Sequence, residues 1–238
     1  ILVDKDQRFS IITDTATIAR GARFENSPDN VLFSSYQQTM SSKGRTINGL
    51  QQELKKAGNK TDSARLVADL TKLDHEVKTY REDLIKKNPS SLLTSLLIAM
   101  REPEVPANLK VPKNRADSVA AYEFYKSHYW EGVNFWDGRL AYTTFFEEKL
   151  DKYFNQVVAP HPDSVIREID YMLGYGSINE EMTRFLLIKF VNRYLNQKYM
   201  WEDAVFVHLF EKYFASRTYP WLAEAGRKII TDRAYSLM

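Results

Sequence analysis

The chain has no cysteine among its 238 residues, and only 9 glycines, 8 prolines and 4 histidines. Without cysteine it carries no disulfide, no thiolate metal site and no thiol nucleophile. That absence leaves the compartment open, because reducing and oxidising environments both hold cysteine-free domains. An excess of one charge is missing too: 33 basic residues against 31 acidic ones leave a formal charge of +2. A nucleic-acid binder gathers basic residues into one stripe, whereas Lys55-Lys56 and Lys86-Lys87 are short runs flanked by acids or polar groups. Nucleic acid is therefore not an expected partner. No apolar run approaches the roughly 20 residues that span a bilayer. The chain opens on Ile1-Leu2-Val3, with neither an initiator methionine nor a signal peptide, so the expectation is that a segment upstream has been removed.

Catalytic signatures are equally scarce. There is no G-x-S-x-G elbow, no phosphate-binding Walker loop and no dinucleotide glycine fingerprint. His208-x-x-Glu211 sets two metal-ligand types on one helical face, but the zincin spacing requires a further histidine where Lys212 stands. His75-Glu76 has Thr79 at the equivalent place. The acid pairs Glu147/Glu148, Glu180/Glu181 and Asp69/Asp74 read as helix-start charges or solvated faces. A hydrolase would need His128, His208 or such acids to converge in one pocket. No enzymatic activity, metal or cofactor is expected of this segment.

What the chain does have is aromatic residues, 14 Tyr, 13 Phe and 4 Trp, and helical periodicity. Residues 1–27 read as β structure: Ile1-Leu2-Val3 and Phe9-Ser10-Ile11-Ile12 flank a polar turn at Asp4–Gln7, with a third short strand at Ala22–Glu25. A helical segment over Val31–Ala57 is interrupted by Gly44 and Gly49. After a turn at Gly58–Thr61, Leu66, Leu70, Leu73, Val77, Tyr80 and Leu84 recur in steps of three and four along one helical face. The two make an antiparallel helical hairpin. Asn88-Pro89 should cap and start the next helix, Ser90–Met100, which is apolar around most of its circumference.

Pro103, Pro106 and Pro112 mark a connector over residues 102–114. The expected organisation is thus strands in 1–27, a hairpin and linking helix in 28–101, the connector, and a helical domain in 115–238. There, Thr144-Phe-Phe-Glu147 and Ser177-Ile-Asn-Glu180 have the form of capping boxes. Ala204–Phe214 is apolar nearly all round, as a central helix would be. No fixed repeat period is present, so the fold class is mainly α: an irregular multi-helix domain, hairpin plus bundle, with a short N-terminal β-hairpin.

Aromatics concentrate between Tyr122 and Phe146, broken as a loop by Gly132, Asn134, Asp137 and Gly138. Such a loop either seals one end of the core or presents a platform for a glycan, peptide or partner protein, since aromatic rings cover much area with few rotamers to freeze. The candidate surface comprises Tyr129, Trp130, Phe135, Trp136, Asp137 and Arg139. Trp130 and Trp136, nearest the glycines, are the expected exposed members.

Several stretches carry a family resemblance. Phe24-Glu-Asn-Ser-Pro-Asp-Asn30 looks like the end of a small β-domain at the N-terminus of many secreted Bacteroidetes proteins, and Asn88–Leu93 with Glu102–Pro106 resembles the helical link after it. Asn134-Phe-Trp-Asp-Gly-Arg-Leu140, Phe145–Leu150 and Asp203–Leu209 resemble an uncharacterised helical domain. In that family the domain precedes a thioredoxin-like domain of thiol-disulfide oxidoreductase type. The resemblance implies an exported, cell-envelope or periplasmic lipoprotein, anchored only through an N-terminal lipid outside this chain. Any Cys-x-x-Cys pair would lie downstream of Met238. It also implies a non-catalytic module that positions the redox domain or binds its client or partner. The alternative is an independent glycan- or peptide-binding module using the aromatic loop.

Overall fold

The computed structural model describes residues 1–3, 8–14 and 22–238, and the chain divides into two compact units, Ile1–Ile98 and Ala99–Met238. The fold is mainly α with a two-stranded antiparallel sheet near its N-terminus.

In the first unit β1 (Ser10–Ile12) pairs with β2 (Arg23–Glu25), Ile11 lying opposite Phe24. Residues 1–3 are not part of this sheet, which corrects the expected pairing of Ile1–Val3 with Phe9–Ile12; the turn foreseen at Asp4–Gln7 lies outside the described residues. Leu2 is held instead by the side chain of Asn30. Its N–H donates to Asn30 Oδ1 (2.7 Å), and Asn30 Nδ2 donates to its carbonyl (2.6 Å). A side-chain amide replaces a neighbouring strand.

Helices α1 (Pro28–Lys56) and α2 (Lys60–Lys87) form the hairpin. Gly44 and Gly49 do not interrupt α1; an added Cβ at either would meet nothing within 4 Å. The helix runs through them because its apolar residues pack on α2, and packing overrides a local propensity deficit. At 1.5 Å per residue the 29-residue α1 is about 43 Å long. Ile47, Leu50 and Leu54 are half-buried, as are Leu70, Leu73 and Val77, with Leu66 fully buried. Their three-four spacing is that of a two-stranded coiled-coil seam. Lys43 reaches Glu76 (2.8 Å) and Arg81 Nε donates to the Tyr36 hydroxyl (3.1 Å), which fixes the antiparallel register.

The unit's densest apolar cluster lies at one end, where Tyr36 meets Leu93 and Leu97 of α3 (Leu92–Ala99). Asn88 closes α2 and does not start α3: its N–H and Nδ2 both donate to the Leu84 carbonyl. Ser91 Oγ takes the Thr94 N–H and caps α3.

The second unit contains α4 (Arg115–His128), a 3-10 turn (Gly138–Tyr142), α5 (Thr144–Lys152), α6 (Pro162–Gly176), α7 (Glu180–Leu195), α8 (Glu202–Leu209) and α9 (Glu224–Leu237). Both α5 and α8 end in a widened π-helical turn, Tyr153–Val157 and Phe210–Phe214, closed by Val158 N–H to Tyr153 O and Ala215 N–H to Phe210 O. The caps differ from the expected boxes by one or two residues. Thr143, not Thr144, accepts from Phe146 N–H, and Asn179, not Ser177, accepts from Met182 N–H. α6, α7 and α8 pack on one another, burying Ile169, Met172, Leu186, Phe190, Val205 and Phe206. The central position of α8 follows from its all-round apolarity.

Candidate functional site

The aromatic loop begins where α4 ends. Tyr129 is 1% exposed and its hydroxyl donates to the Lys149 carbonyl (3.0 Å). Phe135 is 6% exposed. Between them Trp130 is half-buried, its ring edge-on to Tyr129 (5.1 Å between centroids), Phe135 (5.3 Å) and Tyr153 (5.1 Å). Edge-to-face contacts of this kind add stabilisation beyond buried area. Gly132, with φ 75°, makes the turn that folds the loop back; a side chain there would be strained. Asn134 Oδ1 accepts from Trp136 N–H (3.0 Å) and swings that indole outward, leaving it 54% exposed.

Asp137 and Arg139 turn onto each other. Arg139 Nε and Nη2 each donate at 2.7 Å to the two carboxylate oxygens of Asp137, whose Oδ1 also accepts from Arg139 N–H. This fork holds the start of the 3-10 turn. The candidate set is therefore divided: Tyr129 and Phe135 belong to the core with Trp130 half-buried between them, Asp137 and Arg139 brace the backbone, and Trp136 faces solvent.

A groove of about 250 Å3 opens beside Trp136. Its far wall comes from α6, which supplies Tyr171 (51% exposed) and Tyr175 (46%). Their rings lie 4.8 Å apart at 58°, and interaction with the neighbouring Tyr175 hydroxyl, then partial burial, favours the neutral Tyr171 hydroxyl and pushes it above its ordinary pKa. The linear reading of the loop misses these two. Their signal is an i, i+4 tyrosine pair set off the apolar stripe of Val165, Ile169, Met172 and Leu173.

The polar groups weighed for chemistry are engaged elsewhere. Asp170 on α6 accepts from His208 Nε2 (3.0 Å), Lys212 (2.8 Å) and the Tyr213 hydroxyl (2.7 Å). Partial burial opposes its ionisation, but these three donors together hold the carboxyl below its usual range. His128 stacks on Phe124 at 4.0 Å and its Nδ1 lies 2.8 Å from the Phe124 carbonyl. Among the described residues no three His, Cys, Asp or Glu side chains are gathered as metal ligands, and no helix is long and apolar enough to cross a membrane.

Lys149 is the second unit's buried cation. Its Nζ donates to the Arg101 carbonyl (2.6 Å) and sits over the Tyr129 ring at 4.5 Å. Burial is the largest influence on it and pushes the ammonium down to about 8, against the attraction of Glu102. Glu102 itself accepts from Lys152 (2.7 Å) and Tyr125, so the connector is tied down beside α4 and α5.

Neither the curated proteins nor the solved structures contain a match to this chain. One family model does match, over residues 37–235, from within α1 to within α9, and on that match the chain belongs to the family described as a domain of unknown function, DUF5106.

Proposed function

We propose that this chain is a non-catalytic helical module of a longer exported protein. In this reading it serves a thioredoxin-like redox domain in the cell envelope or periplasm by holding a polypeptide client or partner in the aromatic groove of the second unit. The observation that carries the binding role is the exposure of Trp136, Tyr171 and Tyr175 around one groove. Scattered exposed apolar residues are ordinary, whereas several large rings converging on one concavity mark a contact surface. Tyr and Trp also dominate the energetics of protein interfaces. The companion role rests on the resemblance of Asn134–Leu140 and Asp203–Leu209 to the domain that precedes thioredoxin-like sequences.

Two measurements test the two halves of the proposal. The reading frame of the gene should continue into a thioredoxin-like sequence with a Cys-x-x-Cys pair; a frame without one removes the companion role. A reduced and alkylated, permanently unfolded polypeptide should bind the chain, and Trp136→Ala should weaken that binding about tenfold, or about 1.4 kcal/mol. Equal binding by the substituted and unsubstituted chains would remove the groove from the account.

A further inference from the structure

We infer that the groove is shaped for an uncharged, proline-rich segment in the polyproline II conformation; this rests on the reading of the groove as a polypeptide site. Three observations converge. First, no acidic or basic side chain lines the groove, whose polar groups are the Asn134 amide, the two tyrosine hydroxyls and the indole N–H groups of Trp130 and Trp136. A charged segment would lose hydration there without gaining a partner.

Second, the lining is rich in donors and poor in open acceptors. Asn134 Oδ1 already accepts from Trp136 N–H, and Trp130 and Trp136 bring indole N–H groups, which only donate. A ligand dense in N–H donors would leave them unpaired wherever it touched the walls, at a cost of about 1–3 kcal/mol per buried group. Proline has no N–H to satisfy. The exposed Trp136 adds an indole N–H, a donor only, which suits the outward carbonyls of a polyproline helix.

Third, the walls are ridged. Tyr171 and Tyr175 stand one helical turn apart on α6, with Trp136 from the loop completing the groove. Polyproline II has three residues per turn and no internal hydrogen bonds, so it offers a pyrrolidine face at regular intervals to aromatic ridges. Because the segment is already stiff, little conformational entropy is lost on docking. An extended glycan shares the preference for aromatic faces and is the competing occupant in the titration.

Calorimetric titration of the whole chain separates the cases, using oligoproline, a Gly-Ser peptide of equal length, a peptide rich in Lys and Glu, and a neutral oligosaccharide. The expected result is saturable binding of oligoproline at one site per chain, with the other three at least tenfold weaker. Trp136→Ala, and separately the pair Tyr171→Ala with Tyr175→Ala, should each weaken oligoproline at least tenfold. The far-UV spectrum and melting temperature should stay unchanged, since these rings are exposed. If the Gly-Ser peptide binds as tightly as oligoproline and Trp136→Ala weakens both, the polypeptide site stands and its proline preference is overturned. If only the oligosaccharide binds, and Trp136→Ala removes it, both the inference and the polypeptide reading are overturned. Binding of oligoproline that ignores all three substitutions also overturns the inference.

Discussion

Lys149 is an ammonium placed where little water reaches it, 7% exposed between the Arg101 carbonyl and the faces of Tyr129 and Trp130. Its pKa falls from 10.5 in the free side chain to about 8. Between those values the unfolded chain keeps a proton that the folded chain has released, so raising the pH favours the folded state across that interval. Tyr129 and Tyr153 act in the opposite sense. Burial pushes both hydroxyls above the ordinary 10, so from about pH 10 the unfolded tyrosines ionise first and stability is lost. The second unit should therefore gain stability from pH 8 to about pH 10 and lose it above. Lys149→Met should flatten the rising limb. Urea unfolding followed by tryptophan fluorescence checks this, since Trp130, Trp136, Trp201 and Trp221 all belong to that unit; a rising limb retained in the variant would reject it. Asn30 offers a second residue-scale case. It is fully buried, with Nδ2 shared between Leu2 O and Ser27 Oγ. Asn30→Asp turns that donor into an acceptor facing the Leu2 carbonyl in a buried site, and should destabilise the first unit by on the order of 3 kcal/mol, read from its thermal transition by circular dichroism.

Among the elements, the glycines divide by what surrounds them. Gly44 and Gly49 sit inside a continuous helix with open space where a Cβ would go. Replacing each by alanine should stabilise α1 by about 0.5–1 kcal/mol, chiefly by lowering the entropy of the unfolded chain. At Gly138 an added Cβ would come within 2.6 Å of Asn179 Oδ1, the atom that caps α7 through Met182 N–H. Gly138→Ala should displace that cap and cost about 1 kcal/mol or more. Chemical denaturation of the three variants checks both signs. The element scale also shows what a linear reading recovers. The three-four repeat of Leu66 to Leu84 determines α2 and its partner, because a stripe of that spacing has one way to be buried. Cap positions are less legible. Thr143 and Thr144, or Ser177 and Asn179, are neighbours of equal local aptitude, and the surrounding packing selects one. The groove is the extreme case: Trp136 and Tyr175 are far apart in sequence, and only the packing of α6 beside the loop makes them one site.

On the scale of the whole chain the two units differ in how their apolar surface is distributed. The second unit closes helices around a shared centre, where Met182, Leu186, Leu187 and Phe190 of α7 are fully buried. The first unit concentrates its core around Tyr36, Leu93 and Leu97, and beyond Lys43 its hairpin keeps one fully buried side chain, Leu66. Each buried leucine contributes roughly 1.5–3 kcal/mol relative to exposure, so the far half of the hairpin has little to resist local opening. Amides between residues 44 and 76 should exchange with deuterium at least about a hundredfold faster than those of α7, a gap of about 2.7 kcal/mol in opening free energy. Amides near Tyr36 and Tyr80 should fall between. Hydrogen exchange read by mass spectrometry resolves these regions. Protection in the hairpin tip equal to that of α7 would show that a surface outside the seam is covered, and would overturn the assignment of its stability to the half-buried row from Ile47 to Val77.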